Sequence, residues 1–206
     1  MKDPWEGVDA EGQVVTGVSA ARIPSAFMPL IQDSVATLRT ALDQRLHSIH
    51  LYGSVATGQA VAERSDLDLL LVLHQSGSDE GLLPSDAAPA RSIGTSTITM
   101  ADLLAPTEQA QVERCFLDHY TVGLWGPQLP WTSTPCAATV ELARGFSAGL
   151  LTRLPAVDDQ TTGQDALTVW SWADSQGERF GTLPGDHRVV LRRLARWVQT
   201  AWTEAH

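Results

Sequence analysis

Residues 50–73 read HLYGSVATGQAVAERSDLDLLLVL, and this stretch decides the fold. Residues 48–52 have strand character and end at Gly53, a residue that lets the backbone turn sharply. Ser54 then stands where a helix N-cap would stand. A short helix opened by Gly-Ser directs unpaired backbone N–H groups toward an anion such as phosphate. The stretch therefore predicts a strand, a tight turn and a seat for phosphate.

Two carboxylates open the next predicted strand. Asp66 and Asp68 lead the apolar run 69–73, which has the length and composition of a buried strand. Because side chains alternate along a strand, both carboxylates project from one face, about 7 Å apart. They shift each other's titration unless a divalent cation lies between them, and hard oxygen ligands beside phosphate suit Mg²⁺ best. We therefore predict a Mg²⁺ site at Asp66 and Asp68.

The order of these features resembles a known signature. Gly53-Ser54 after a strand, followed by a short helix and then by Ser65, Asp66 and Asp68 at the head of a hydrophobic strand, is similar to the Gly-Ser…Asp-x-Asp signature of the DNA polymerase β-like nucleotidyltransferase superfamily. Within it, these residues most resemble the bacterial aminoglycoside and minimal nucleotidyltransferases. The resemblance implies an α/β (α+β) fold in which a mixed sheet with helices is followed by a helical C-terminal domain.

The resemblance also implies a reaction and the residues that perform it. A hydroxyl of an acceptor attacks the α-phosphorus of a nucleoside triphosphate, which we predict to be ATP, and pyrophosphate leaves. Asp66 and Asp68 would be the catalytic metal ligands. The nucleotide would contact Gly53, Ser54 and Ser65. The expected acceptor is a small molecule, for example an aminoglycoside-like one.

One part of the family pattern is missing. The family usually supplies a third acidic residue from the strand beside Asp-x-Asp, and residues 95–100 contain no acid. Ser96 is the residue expected at that position, and Asp102 is the candidate for the catalytic role, although a first-turn helix acid explains it equally well. Two alternatives therefore stay open, namely a minimal-nucleotidyltransferase antitoxin acting on a partner toxin protein and a degenerate nucleotide-binding module.

Periodicity supplies the remaining elements. Apolar residues at three- and four-residue spacing predict an amphipathic helix over 24–46, and further strands are expected at 95–100 and 120–125. Residues 1–22 suggest a loosely ordered arm with one edge strand. The stretch 75–92 reads as a surface loop, and a helix is predicted from residue 101 toward residue 116.

The helical character of the chain increases after residue 135, so we predict a nucleotidyltransferase domain over 1–135 and a helical domain over 136–206. In the last predicted helix Arg192 and Arg196 are four residues apart and could both reach triphosphate oxygens. A solvated helix face explains this pair of arginines as well. We keep both as candidate nucleotide-binding residues.

Charge and composition exclude several classes of protein. The net charge of −10 argues against an extended nucleic acid partner, which would need a basic face. No apolar run approaches the roughly 20 residues of a membrane span. The first residues lack the apolar core of a secretory signal, so a cytoplasmic location is expected. Cys115 and Cys136 lack metal-ligand spacing and are predicted to be buried free thiols.

Overall fold

The structure is a computed structural model, and it describes residues 5–77, 81–83, 87–131 and 133–146. The strands of this part of the chain are β1 (Gly7–Val8), β2 (Val14–Val15), β3 (Leu46–Tyr52), β4 (Leu67–Leu73), β5 (Ile93–Thr99) and β6 (Val122–Trp125). Its α-helices are α1 (Met28–Leu42), α2 (Gly53–Ala56), α3 (Met100–Leu104), α4 (Glu108–Tyr120) and α5 (Val140–Phe146).

The central sheet is four-stranded and mixed. Its strand order is β5-β4-β3-β6; β3 pairs antiparallel with both β4 and β6, whereas β5 runs parallel to β4. Each of the four strands covers most of a stretch predicted as a strand from apolar or β-branched residues. The expected fold class, a mixed α/β sheet with helices, is confirmed.

The apolar residues of β4 divide between the two faces of the sheet. Leu67, Leu69 and Leu71 are fully buried in a core that also contains Leu38 of α1. The predicted amphipathic helix is thus confirmed as α1, shorter at both ends than expected. On the opposite face Leu70 packs with buried residues of β4, α3 and α4. Because residue 68 shares that face with residue 70, Asp68 lies on the α3 and α4 side of the sheet.

The helix predicted to run from residue 101 toward residue 116 is two helices. The first helix ends at Leu104, and Ala105 adopts an extended conformation with a ψ of 143°. Thr107 is the N-cap of α4, and its side chain accepts a hydrogen bond from the Ala110 N–H. Pro106 is the cause, because a proline disfavours helical geometry at the residue before it and cannot donate to the helix. The single long helix was therefore a wrong prediction.

The two cysteines are not free thiols. Cys115 of α4 and Cys136 are disulfide-bonded, with their Cα atoms 6.1 Å apart. The prediction failed because a separation of 21 residues does not show whether the fold brings the two ends together. Disulfides are rare in reducing compartments, so this bond does not favour the cytoplasmic location, which stays a prediction.

The chain divides into two compact units, one holding Val15–Cys136 and the other holding Gly7–Val14 with the chain from Ala137 onward. In the second unit Gln13 bridges to Ala137, and the Ala138 N–H donates to the Gly12 carbonyl at 2.9 Å. The short pair β1 and β2 agrees with the edge strand expected in the first 22 residues.

The predicted helical domain lies largely outside the described residues and stays a prediction, as does the domain boundary. In the part of the chain that the structure describes, no helix is both long and apolar enough to span a bilayer.

Candidate functional site

Gly53 and Asp68 come into direct contact where β3 ends. Tyr52, the last residue of β3, pairs with Asp68 of β4, and Gly53 then turns the chain with a φ of +73°. A Cβ atom at position 53 would lie 2.5 Å from Oδ2 of Asp68, which is closer than real side chains come. Position 53 needs glycine both for its left-handed backbone and for the space. The structure therefore brings the Gly-Ser turn and Asp68 together.

Ser54 does not have the predicted N-cap position. The N-cap residue of α2 is Tyr52, and the Thr57 N–H already donates to the Gly53 carbonyl at 3.2 Å. The left-handed conformation of Gly53 starts the turn early, so Ser54 lies inside the first turn. Its carbonyl accepts from the Gln59 N–H at 2.8 Å. Ser54 remains next to Gly53 at the end of the sheet that holds Asp68.

Ser65 closes the turn that leads into β4. Its Oγ accepts a hydrogen bond from the Val61 N–H at 2.9 Å, and its carbonyl accepts one from the Arg91 N–H at 2.9 Å. Both bonds position the main chain just before Asp66. Arg192 and Arg196, the other predicted nucleotide-binding residues, lie outside the described residues.

Asp66 is held by donors from the segment that precedes β5. Its Oδ1 accepts from Arg91 Nε at 3.0 Å and from Ser92 Oγ at 2.5 Å, and its Oδ2 accepts from Arg91 Nη2. Burial by itself raises the pKa of Asp66, but the hydrogen bonds from Arg91 and Ser92 outweigh it, so the pKa lies below its ordinary value. Asp66 is therefore an ionised and well-paired carboxylate.

Asp68 has the opposite environment. No donor among the described residues hydrogen-bonds to its carboxylate, which is flanked by the main chains of Gly53 and Gly94. Burial, and then the negative charge of Asp66, raise the pKa of Asp68 to about 6, although Arg91 opposes the shift. Asp68 is half-buried, and a half-buried carboxylate without a donor is costly in the free protein. A cation would relieve that cost.

The strand beside β4 offers no further acid. Gly94 of β5 pairs with Asp68, and a Cβ atom there would lie 3.4 Å from Asp68 Oδ1. Ser96, expected at the third-carboxylate position, instead pairs with Leu70, and its Oγ lies 3.3 Å from the Tyr52 hydroxyl. Gly94, not Ser96, is therefore the residue directly beside Asp68.

Asp102 lies away from Asp68. It forms a capping box with Thr99 at the start of α3, in which its Oδ2 accepts from Thr99 Oγ1 at 2.6 Å. Thr99 pairs with Leu73, at the opposite end of β4 from Asp68, and five strand residues span roughly 16 Å. The structure brings Asp66, Asp68 and Gly53 together and leaves Asp102 at the other end of β5.

These residues fit a single hard cation better than a three-carboxylate centre. The described residues contain no group of three or more His, Cys, Asp or Glu side chains that could hold a metal. Asp68 nevertheless offers a carboxylate that no described residue pairs with. Asp66 is its neighbour and would be a second oxygen ligand once its bond to Arg91 opens. We call Gly53, Asp66, Asp68 and Arg91 the carboxylate end.

His50 is a second polar residue on the face of the sheet that holds Asp68. It lies two residues before Tyr52 in β3. His50 is only 8% exposed, and both of its ring nitrogens are engaged: Nε2 lies 2.9 Å from Ser48 Oγ and Nδ1 lies 3.2 Å from Thr121 Oγ1. We call Ser48, His50 and Thr121 the His50 chain. Ser48 Oγ also lies 3.1 Å from Nδ1 of His47.

The hydrogen bonds of the His50 chain all run in one direction. Thr121 Oγ1 donates to the Leu117 carbonyl at 2.7 Å, because a carbonyl can only accept. The Thr121 oxygen therefore accepts from His50 Nδ1–H, and His50 Nε2 accepts from the Ser48 hydroxyl. This tautomer is neutral, and burial, followed by the repulsion of a charged His47, lowers the pKa of His50 to about 4.

The His50 chain forms part of the wall of a cavity of about 630 Å³ between β6, α4 and the segment after β6. Its other lining residues include Asp118, Gln128 and Trp131. The Trp131 indole N–H donates to the Asp118 carboxylate at 3.1 Å, so this wall is also internally bonded. The volume lies in the range of small-molecule pockets, roughly 300 to 1,000 Å³.

The sequence interpretation missed Arg91, Ser92 and Gly94. These residues reach Asp66 and Asp68 only because β5 pairs in parallel with β4, and no local pattern fixes that register. It also missed the His50 chain, for which a signal existed: Ser48 and His50 alternate in a strand and so share a face.

The chain matches no protein-family profile and no curated protein. Among solved structures it is similar to spectinomycin adenyltransferase AAD(9) from Enterococcus faecialis, which was solved with ATP and spectinomycin. The two share 11% identity with a TM-score of 0.44, over 84% of this chain and 89% of that one. A likeness this distant supports no conclusion about function. A functional proposal therefore has to rest on the residues of the carboxylate end.

Proposed function

We propose that this protein is a Mg²⁺-dependent nucleotidyltransferase that uses a nucleoside triphosphate, ATP in the first instance, and a small-molecule hydroxyl acceptor. The observation that carries the proposal is the contact between the Gly53 main chain and the Asp68 carboxylate. It puts a carboxylate that has no donor among the described residues beside a tight turn that a phosphate can approach closely. In the reaction the acceptor oxygen bonds to the α-phosphorus, the bond from that phosphorus to the bridging oxygen breaks, and pyrophosphate leaves.

The residues around the carboxylate end would have separate roles in binding the metal ion and the triphosphate. Asp68 and Asp66 would hold the Mg²⁺ ion, which when bound offsets negative charge on the transferring phosphoryl group and on pyrophosphate. Gly53 leaves the main chain open to the triphosphate, and the Ser54 hydroxyl would donate to a phosphate oxygen. With a pKa of about 6, Asp68 is mostly ionised at pH 7 and can bind a cation there.

The proposal assigns no step to Asp102, since it caps α3, and no step to β5, which contains no acid. The proton of the acceptor hydroxyl would be released to water. Because phosphoryl transfer depends chiefly on positioning and on charge stabilisation, a transferase can work without a dedicated protein base.

A second candidate function is nucleotide binding without transfer. Two observations favour it: Gly94 occupies the place beside Asp68 on β5, and Arg91 already neutralises Asp66. A protein with this site could bind a metal–nucleotide complex and catalyse transfer poorly. The two functions differ in whether pyrophosphate is released.

The test is pyrophosphate release from each common triphosphate with Mg²⁺ and a panel of aminoglycoside-like acceptors, with the modified acceptor identified by mass. We expect Asp68→Asn to lower turnover at least about 100-fold, because a metal ligand is lost. Asp33→Asn, which changes an exposed aspartate of α1, is the matched control and should retain full activity. Nucleotide binding without turnover would select the second candidate. Turnover that survives Asp68→Asn would reject the first.

A further inference from the structure

Arg91 is built into the carboxylate end by its main chain as well as by its side chain. Its N–H donates to the Ser65 carbonyl at 2.9 Å, and the next residue, Ser92, accepts from the Leu67 N–H at 2.9 Å. These bonds extend the parallel pairing of β4 and β5 back to Asp66. The main chain thus fixes the Cα of Arg91 beside the carboxylate that its side chain binds.

The guanidinium of Arg91 acts on both carboxylates. It binds Asp66 through Nε and Nη2, one nitrogen to each oxygen, which is the strong two-point geometry of arginine and carboxylate. It is also close enough to Asp68 for the two charges to attract each other. Two negative charges therefore share one positive charge, which the protein itself supplies.

The same guanidinium can leave without disturbing the fold. The Arg91 side chain is 64% exposed, whereas that of Asp66 is 27% exposed, so the arginine lies on the solvent side of the pair. Rotation of its side chain would open Asp66 toward water and leave the main-chain bonds of Arg91 in place. The Ser92 hydroxyl would still hold Asp66 Oδ1.

We propose that Arg91 is the resident counter-cation of the Asp66–Asp68 pair, and that a divalent cation binds both carboxylates only by displacing the guanidinium from Asp66. This inference rests on the proposed function, since it takes these aspartates as the metal ligands. Arg91 would then have a role that no residue of the Gly-Ser or Asp-x-Asp motif has. Its guanidinium would compete with the metal ion for Asp66 and so set the affinity of the site for metal.

An ordinary structural ion pair is the competing explanation. An exposed pair of this kind contributes little to the stability of the fold. In that case removal of Arg91 would affect the melting temperature slightly and leave metal affinity unchanged. The two explanations therefore differ in a quantity that can be measured without any catalytic turnover.

The experiment measures the binding of Mn²⁺, as a spectroscopic substitute for Mg²⁺, to the full chain in the absence of nucleotide. The variants are Arg91→Gln, Arg91→Lys, Asp68→Asn and Arg64→Gln. Arg64 is an exposed arginine just before Asp66, and its side chain makes no ion pair with a described residue. Arg64→Gln therefore changes the net charge as Arg91→Gln does and corrects for general attraction of cations.

We expect Arg91→Gln to bind Mn²⁺ about tenfold more tightly than the parent, with Arg91→Lys in between because lysine lacks the two-point bond. Arg64→Gln should change the affinity by less than about threefold, as expected for a screened surface charge. Asp68→Asn should abolish the binding. Equal or weaker binding by Arg91→Gln would overturn the role of Arg91 and leave the proposed function standing. If neither the parent nor any variant binds Mn²⁺, both the inference and the metal site of the proposed function are wrong.

Discussion

The carboxylate end and the His50 chain lie on the same face of the same sheet. They differ in whether their polar side chains have hydrogen-bond partners. In the His50 chain each ring nitrogen of the histidine has a partner, and the hydrogen bonds run in one direction to the Leu117 carbonyl. At the carboxylate end Asp66 is fully paired, but Asp68 has no donor among the described residues.

This difference separates stability from function. A completely bonded buried group stabilises one conformation, whereas a buried charge without a partner destabilises the free protein and is tolerated where a ligand supplies the partner. We therefore expect changes in the His50 chain to weaken the fold, and changes at Asp68 to weaken binding while sparing or strengthening the fold.

The largest expected effect is on the His50 chain. His50→Ala should lower the free energy of unfolding by about 3 kcal/mol, because it leaves a cavity and removes the partner of both the Ser48 and Thr121 hydroxyls. Gln44→Ala, at an exposed residue just before β3, is the control and should change it by less than about 0.5 kcal/mol. Urea unfolding measures both. Similar values for the two variants would show that the His50 chain contributes little to stability.

The next effect tests the contact that carries the proposed function. Gly53→Ala should lower the free energy of unfolding by about 2 kcal/mol, since the new Cβ meets both an unfavourable φ and the Asp68 carboxylate. Gly81 has nearly the same φ, +72°, and no atom of the described residues lies within 4 Å of an added Cβ, so Gly81→Ala should lower it by only about 1 kcal/mol. The difference between the two isolates the contact with Asp68. Equal losses would mean that Asp68 does not lie against Gly53.

The two regions should also respond to pH with opposite signs. His50 has a lowered pKa of about 4, so the unfolded chain binds a proton more readily between pH 6.5 and 4, and stability falls as pH falls. Asp68 has a raised pKa of about 6, so the folded chain binds a proton more readily between pH 6 and 3.8, and stability rises as pH falls.

Unfolding measurements from pH 7 to pH 4 separate these terms. Compared with the parent, Asp68→Asn should lose stability more steeply on acidification and His50→Ala less steeply, by about 2 kcal/mol in each case. Parallel profiles for all three proteins would contradict the environments described for both residues.

Much of this architecture follows from the sequence. The glycine after β3 and the apolar run of β4 predicted a strand, a tight turn, a short helix and a second strand headed by Asp66 and Asp68. The antiparallel pairing of the two strands is what brings Asp68 to Gly53. The break between α3 and α4 could have been predicted as well, because Pro106 disfavours helical geometry at residue 105, but the sequence interpretation missed it. These features depend on local chemistry.

What could not be predicted depends on pairings between distant segments. Arg91 and Gly94 reach the carboxylates through the parallel register of β4 and β5. The partner of Cys115 depends on how the segment after β6 returns to α4. In both cases the contact is decided by packing of the whole sheet, and no spacing along the chain encodes it.

The smallest expected effect on the free protein is a gain in stability, whereas most substitutions destabilise a protein. At pH 7 Asp68→Asn should raise the free energy of unfolding by about 1 kcal/mol, because it removes a half-buried charge that has no donor among the described residues and that Asp66 repels. Asp66→Asn should instead lower it slightly, since it breaks the bonds to Arg91 and Ser92. Thermal and urea unfolding give both values. A destabilised Asp68→Asn variant would mean that the Asp68 carboxylate has a structural partner.

The most direct test of the central claim is the thermal melting of the parent and of Asp68→Asn, with and without Mg²⁺ and ATP. At a ligand concentration one hundred times the dissociation constant, the parent should gain about 2.7 kcal/mol, a shift of a few degrees at this chain length. The gain should require both Mg²⁺ and the triphosphate, and Asp68→Asn should lose most of it while melting no lower than the parent without ligand. A variant that melts lower without ligand and keeps the full shift with Mg²⁺ and ATP would contradict a metal–nucleotide site at Asp68.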